Sequence, residues 1–254
     1  MLLHLAAWPE VEDYLKRSTG IIIPIGSTEQ HGPTGLIGTD AITAEAIGAA
    51  AGDKTGALVG PTISVGMALH HLGFTGSISL RPTTLIAYIH DYVLSLARAG
   101  FTRFFFVNGH GGNVATANAA FAEITAEAAG GIGAMPSNRP EIRCKLVNWW
   151  DFAPVKALSR DLYGNAEGMH ATASEVSVTQ YLYRDHIKPV PAAGMSPRIA
   201  PVSHFFGAAD YRRRFPDGRI GSDPTLSRPE HGERIHAAAA TAVADAYQTF
   251  VGET

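Results

Sequence analysis

Short runs of consecutive apolar residues alternate along this chain with longer stretches in which the apolar positions recur every three or four residues. Ile21-Ile22-Ile23-Pro24-Ile25 is uniformly apolar and β-branched, which predicts the end of a buried strand, weakened only by Pro24. Ala57-Leu58-Val59, Phe101 to Val107 and Ile142 to Trp149 predict three more strands. Between them an Ala-rich helix is expected from Ala41 to Ala51, stopped at Gly52. Residues 83–99 place Leu85, Ile89, Val93 and Leu96 on one helical face, with Gly100 as its cap. Further helices are expected from Val114 to Ala129, at about 171–183 and at about 230–251. Residues 130–140 read as a flexible surface loop, and the Pro/Gly-rich stretch 187–229 carries no clear period. Strands alternating with helices predict an α/β fold with a mostly parallel sheet. No repeat or boundary interrupts the pattern, so residues 1–254 are expected to form one domain.

Composition narrows the function more than the fold. With 46% apolar and 17% charged residues the chain is globular. Its 20 basic and 23 acidic residues leave a net charge of −3 and no basic stripe, so no nucleic-acid partner is expected. The most basic stretch, Tyr211 to Phe215, reads as a solvated loop or a partner-facing patch. The single cysteine, Cys144, lies in an alternating segment and reads as a buried structural thiol. Without an intrachain disulfide, nothing argues for an oxidising compartment, and a cytoplasmic location is expected. The N-terminal stretch lacks a basic n-region, so no signal peptide is expected. No apolar run reaches the ~18 residues of a membrane helix, so no membrane partner is expected either.

The candidate chemistry sits in two Gly-rich loops at predicted strand ends, 26–40 and 108–113, where ligands bind in parallel sheets. Glu29 and His31 are two apart and share a face if the segment is extended. Asp40 can fold back onto them after a glycine-rich turn, and His110 lies just beyond Val107 among glycines. His170 and Glu175, about one helical turn apart, could face the same cleft. Imidazoles with carboxylates suit Zn²⁺ or Mn²⁺, and this many ligands could hold two ions sharing an aspartate. Each residue also has a plainer reading. Asp40 with Thr39 could be a helix N-cap, Glu29 a solvated loop residue, His110 a packed turn histidine and Glu175 a surface helix residue. His70 and His71 read as a structural or cleft-lining pair, and His231 and His236 as non-ligands. Trp149 and Trp150 could wall a pocket or fill the core.

Gly26-Ser27-Thr28-Glu29-Gln30-His31-Gly32-Pro33, followed by Gly38-Thr39-Asp40, resembles the signature of the creatininase family. Asn108 to Asn113, His70 to Leu80, and His170-Ala171 with Glu175 are similar to three further family blocks, and all four run in family order. The resemblance implies a three-layer α/β/α sandwich and a dinuclear centre of Zn²⁺ and/or Mn²⁺, with Fe²⁺ as an alternative. Glu29, Asp40 and His110 would hold one ion. His31, Asp40 and a further glutamate would hold the other. In creatininase proper that glutamate follows the second-signature histidine by two residues. Gly112 stands there in this chain, and the resemblance to Gly-Gly members assigns the role to Glu175. His170 would pass a proton to the leaving nitrogen during hydrolysis of a linear or cyclic amide. Thr34, Gly111, Thr172 and Val176 depart from the common pattern and leave the substrate open. Creatinine, a formamidopyrimidine ribonucleotide and the mycofactocin peptide are all cleaved within the family. The resemblance also implies a homo-oligomer, with rings of six in the family. Three rivals remain: a nucleotide- or phosphate-binding module at Gly109 to Gly112, which has Val114 where the dinucleotide fingerprint needs glycine; a serine or cysteine hydrolase, for which no G-x-S-x-G elbow exists; and a family member that binds without turnover.

Overall fold

A computed structural model of the chain describes residues 1–131 and 141–253. Four parallel strands form one sheet: β1 (Gly20–Ile25), β2 (Leu58–Val59), β3 (Arg103–Asn108) and β4 (Arg143–Asn148), in the order β2-β1-β3-β4. Pro24 is tolerated inside this sheet because β2 is so short. β2 pairs only with Ile21 and Ile22, and beyond it the Pro24 carbonyl simply accepts the Ile63 N–H at 3.0 Å.

Side chains alternate strictly across the sheet. Ile22, Phe105 and Val107 face one layer, built from α2 (Thr39–Thr55), α5 (Ala153–Tyr163), α6 (Ala173–Leu182) and α8 (Pro229–Gly252). Ile21, Ile23, Ile25, Phe104 and Phe106 face the other, where α1 (Trp8–Leu15), α3 (Pro82–Ala99) and α4 (Asn113–Ala128) pack. A strand buried on both faces has to be apolar throughout, which is why Ile21 to Ile25 reads as a solid run. The result is the expected α/β/α sandwich. Cys144 is partly buried, and burial pushes its thiol up to about 12, as an inert packing residue requires.

Some expectations are corrected. α2 begins two residues early and runs three residues past the expected stop at Gly52, because Gly52 continues the helix and Gly56, with φ 70°, ends it. Asp40 is not its N-cap: Gly38 holds that position, and Asp40 lies inside the first turn. The basic stretch is not a loop but the end of α7 (Gly207–Arg214), where Arg213 and Arg214 both pair with Asp210. The rest of 187–229 is ordered by polar contacts rather than by regular elements. The fully buried Arg219 donates to the carbonyls of Pro197, Arg198 and Ser222 and pairs with Asp217. The loop expected at 130–140 falls, from residue 132 on, outside the described residues.

Ile25, Asn108 and Asn148 lie side by side in register, so β1, β3 and β4 end level with one another. From β1 the chain leaves into α2 on one face, and from β3 into α4 on the other. The gap between β1 and β3 is therefore the topological switch point, where open α/β sheets bind ligands.

Candidate metal centre

The first turn of α2 is wedged into that gap. A Cβ on Gly26 would stand 2.3 Å from Ala41 N, and one on Gly109 2.1 Å from Asp40 O. Only glycine at both strand ends lets α2 come so close. The wedge carries Asp40 between the two loops. Asn113 ties them together, donating to Gly26 O at 2.9 Å while its Oδ1 accepts the Met67 N–H at 3.0 Å.

Around Asp40 the ionisable groups converge. His31 Nε2 lies 2.9 Å from Asp40 Oδ1 and 3.9 Å from Glu175 Oε2. His110 Nδ1 lies 3.2 Å from both Asp40 Oδ2 and Glu29 Oε1. Two triplets result, Glu29–Asp40–His110 and His31–Asp40–Glu175, with donor atoms within 4.8 Å of one another and Asp40 in both. Glu29, His31 and His170 make a third such group. All six residues expected at the site from the sequence are thus brought together. His231 and His236 lie elsewhere, against Tyr163 and Tyr181.

The rings are oriented from behind. His31 Nδ1 donates to Glu29 O at 3.1 Å and His110 Nε2 to Met67 O at 3.0 Å, so each turns its other ring nitrogen to the carboxylates. Both oxygens of the fully buried Glu29, and Oδ2 of Asp40, find no hydrogen-bond partner among the described residues. Oxygens and nitrogens crowded to about 3 Å without hydrogen-bond alignment, and buried, fit a cation between them. The donor set of imidazoles and carboxylates fits Zn²⁺ or Mn²⁺.

Charge is tightly balanced. Burial opposes protonation of His31, but Asp40, Glu175 and Glu29 outweigh it and raise it to about 10. His110 is likewise raised well above its ordinary value, against burial, by Glu29 and Asp40. Glu29 is held well below the carboxylate range because His110 and His71 overcome its burial. Glu175 is pushed up to about 7 by burial and Asp40, with His31 opposing. His170 is lowered well below its ordinary value by burial and by neighbouring His71 and His31.

Gly112 has no room for a ligand. Its Cβ would stand 2.3 Å from His110 Nε2 and 2.6 Å from Met67 O. Glu175 reaches the same cluster from α6 instead, with Oε1 accepting the Thr172 N–H at 2.6 Å and Oε2 turned to His31. The loop 109–112 does not offer a free phosphate cradle. Two of its four N–H groups are already engaged, Gly109 donating to Ile25 O and His110 to Asn108 Oδ1, which leaves only those of Gly111 and Gly112.

A cavity of about 670 Å³ opens on the cluster, lined by Asp40, His110, His170 and Glu175 at its base and by Trp149, Trp150 and Arg160 beyond. Trp149 also belongs to the core, so both readings of the tryptophan pair hold. The sequence reading placed His71 only along the cleft. It lies inside the cluster, with Nε2 3.1 Å from Glu29 Oε1. Its neighbour His70 stacks on Phe205. A paired histidine in a block that resembles a family signature was the available signal, but periodicity could not tell which ring turned inward.

A family model described as creatininase, creatinine amidohydrolase, matches residues 4–247. The chain belongs to the creatininase family of amidohydrolases. The mycofactocin precursor peptide peptidase of Mycolicibacterium smegmatis is 28% identical over 244 residues, 89% of this chain and 83% of that protein. The creatinine amidohydrolase of Pseudomonas putida is 27% identical over 255 residues, 94% of this chain and 93% of that one. A solved structure described as creatininase Mn superposes with a TM-score of 0.81 at 24% identity, over 99% of both chains, so the creatininase fold is shared.

Proposed function

We propose that this chain is a metal-dependent amidohydrolase that holds two divalent ions, Zn²⁺ and/or Mn²⁺ with Fe²⁺ as an alternative, and cleaves a linear or cyclic amide. One observation carries the reading: two ligand triplets meet on a single buried carboxylate, Asp40, with the second ligand set completed by Glu175. Glu29, Asp40 and His110 would hold one ion, and His31, Asp40 and Glu175 the other. When bound, the ions supply Lewis acidity to the amide carbonyl and to the attacking water.

The chain's own residues do the rest. Glu29 and Asp40, both buried carboxylates, would offset the positive charge that gathers at the site. His170, 3.7 Å from Glu29 through Nδ1, takes a proton from the attacking water and returns it to the departing nitrogen as the C–N bond breaks. Its lowered affinity for protons suits a group that must start the cycle as a base. Trp149 and Trp150 wall the cavity. The curated relatives of comparable length act on a peptide and on creatinine, which supports an amide without selecting one. No helix among the described residues is long and apolar enough to cross a membrane. A small-molecule substrate in the cytoplasm and a homo-oligomer, hexameric as in the family, complete the proposal.

The test is elemental analysis of protein purified without added metal, beside Asp40→Ala. Two ions per chain, both lost in the variant, are expected. A native protein that binds neither Zn²⁺ nor Mn²⁺ when they are offered would overturn the reading.

A further inference from the structure

Gln30 stands between the ligands Glu29 and His31, and its side chain is 6% exposed. No part of the proposed chemistry uses it. Its amide nevertheless touches two rings of the cluster at once. Nε2 lies 2.9 Å from His71 Nδ1 and 2.9 Å from His170 Nε2. The amide's orientation is fixed from the backbone: Oε1 accepts the Gly32 N–H at 2.8 Å, and Nε2 donates to Gly218 O at 2.9 Å.

The hydrogens can then be counted. Nε2 carries two, and Gly218 O at 2.9 Å takes one, with Tyr211 Oη a longer contact at 3.4 Å. His71 and His170 compete for the other. His170 Nε2 also lies 2.8 Å from the backbone carbonyl of Gln30, which can only accept. His170 Nε2 therefore carries a hydrogen and cannot receive the amide's. The second amide hydrogen goes to His71 Nδ1, which must be bare to take it. A proton there would set two donors against each other at 2.9 Å. His71 then has its hydrogen on Nε2, turned towards Glu29 Oε1, and His170 has a bare Nδ1.

We propose that Gln30 is a positioning residue that gives these two rings opposite roles: His71 keeps its hydrogen on Nε2 and is not a metal ligand, while His170 holds a lone pair on Nδ1, on the Glu29 side of the cluster. Side chain and backbone divide the task. The Gln30 amide sets His71, and the Gln30 carbonyl sets His170. Tyr211 completes the arrangement by donating to the same Gly218 carbonyl at 2.7 Å, which ties α7 and the turn after it to the site.

The inference rests on the proposed function only for its catalytic consequence, because the tautomers can be read in metal-free protein. Long-range proton–nitrogen correlation spectra of ¹⁵N-histidine-labelled protein, at mildly alkaline pH, report which ring nitrogen bears hydrogen. His71 and His170 are expected to carry theirs on Nε2. In Gln30→Met the His71 tautomer should become mixed while His170 stays unchanged. In Gln30→Glu the new acceptor should draw the His71 hydrogen to Nδ1, and Zn²⁺ affinity should fall roughly 10–100-fold, as for other residues that orient ligands. A wild-type His71 protonated on Nδ1 would overturn the inference without any variant, as would a His71 tautomer indifferent to Gln30→Met. Tautomers as proposed in a protein that binds no Zn²⁺ would uphold this inference and fault the metal reading alone.

Discussion

Replacing Gly112 by alanine adds one methyl group at the position where the creatininase resemblance calls for a glutamate. The methyl would stand 2.3 Å from His110 Nε2 and 2.6 Å from Met67 O, inside the 3.0 Å hydrogen bond that joins them. Neither partner can yield cheaply. The Met67 N–H is held by Asn113, and the other side of His110 is fixed against Glu29 and Asp40. Losing the bond and stranding its buried ends costs about 1–3 kcal/mol. Forcing a methylene-sized group into a packed site costs a further ~1–3 kcal/mol. The expected destabilisation is about 2–6 kcal/mol, and at ~2–4 °C per kcal/mol for a chain of this size Tm should drop by roughly 4–24 °C. Thermal unfolding of metal-free protein is the assay, so that bound ions do not mask the loss. Metal affinity should fall with it, because His110 Nδ1 is pushed out of line. Gly112→Glu should do no better, gaining no ion in spite of its carboxylate. A variant that unfolds within about 1 °C of wild type, or Gly112→Glu binding metal more tightly than wild type, would refute the reasoning.

The remaining expectations bear on ligands, protons and backbone. Glu175→Gln removes a carboxylate from only one triplet, so elemental analysis should find about one ion per chain where Asp40→Ala has none. His31 is raised from 6.5 to about 10, so in metal-free protein its protonation stabilises the fold fully below 6.5, and that contribution is lost as pH climbs to about 10. Glu175, raised from 4.5 to about 7, adds a loss between those two values by ionising, so Tm of the metal-free protein should fall from about pH 4.5 to about 10 while metal affinity, freed from proton competition, rises. Ala171 is fully buried with φ 51°, a left-handed conformation that costs a non-glycine residue ~1–2 kcal/mol. In urea titrations Ala171→Gly should stay within ~1 kcal/mol of wild type, since relief of strain offsets the freedom glycine gains in the unfolded chain. Ala171→Val should lose ~2 kcal/mol or more, as a β-branched residue in that region is a sterically unfavourable outlier.

What could be read in advance was whatever local chemistry dictates. A strand buried on both faces must be apolar at every position, so Ile21 to Ile25 and Phe104 to Phe106 announced the sheet. Glycine is required where a strand end meets a helix start, as Gly26 and Gly109 show, but only the glycines around His110 announced a close approach in the sequence. The convergence of Glu29, His31, Asp40 and His110 followed from those two facts and the family blocks. The N-cap reading of Asp40 failed because the same first turn that suits an aspartate also happens to be the wedge between β1 and β3, and the wedge wins. His71 and Gln30 were illegible for a different reason. Which ring of a His-His pair turns inward, and what a glutamine amide donates to, depend on carbonyls far along the chain, above all Gly218, 188 residues from Gln30. That carbonyl is delivered by a stretch whose order comes from Arg219 and its carbonyl partners, not from any periodicity. Polar networks of this kind leave no pattern in a single sequence, because each partner is specified by the position of the others. The ligands of such a site can be read from residue type and local turn, whereas the hydrogen bonds that assign each ring its role emerge only when the distant segments are brought together.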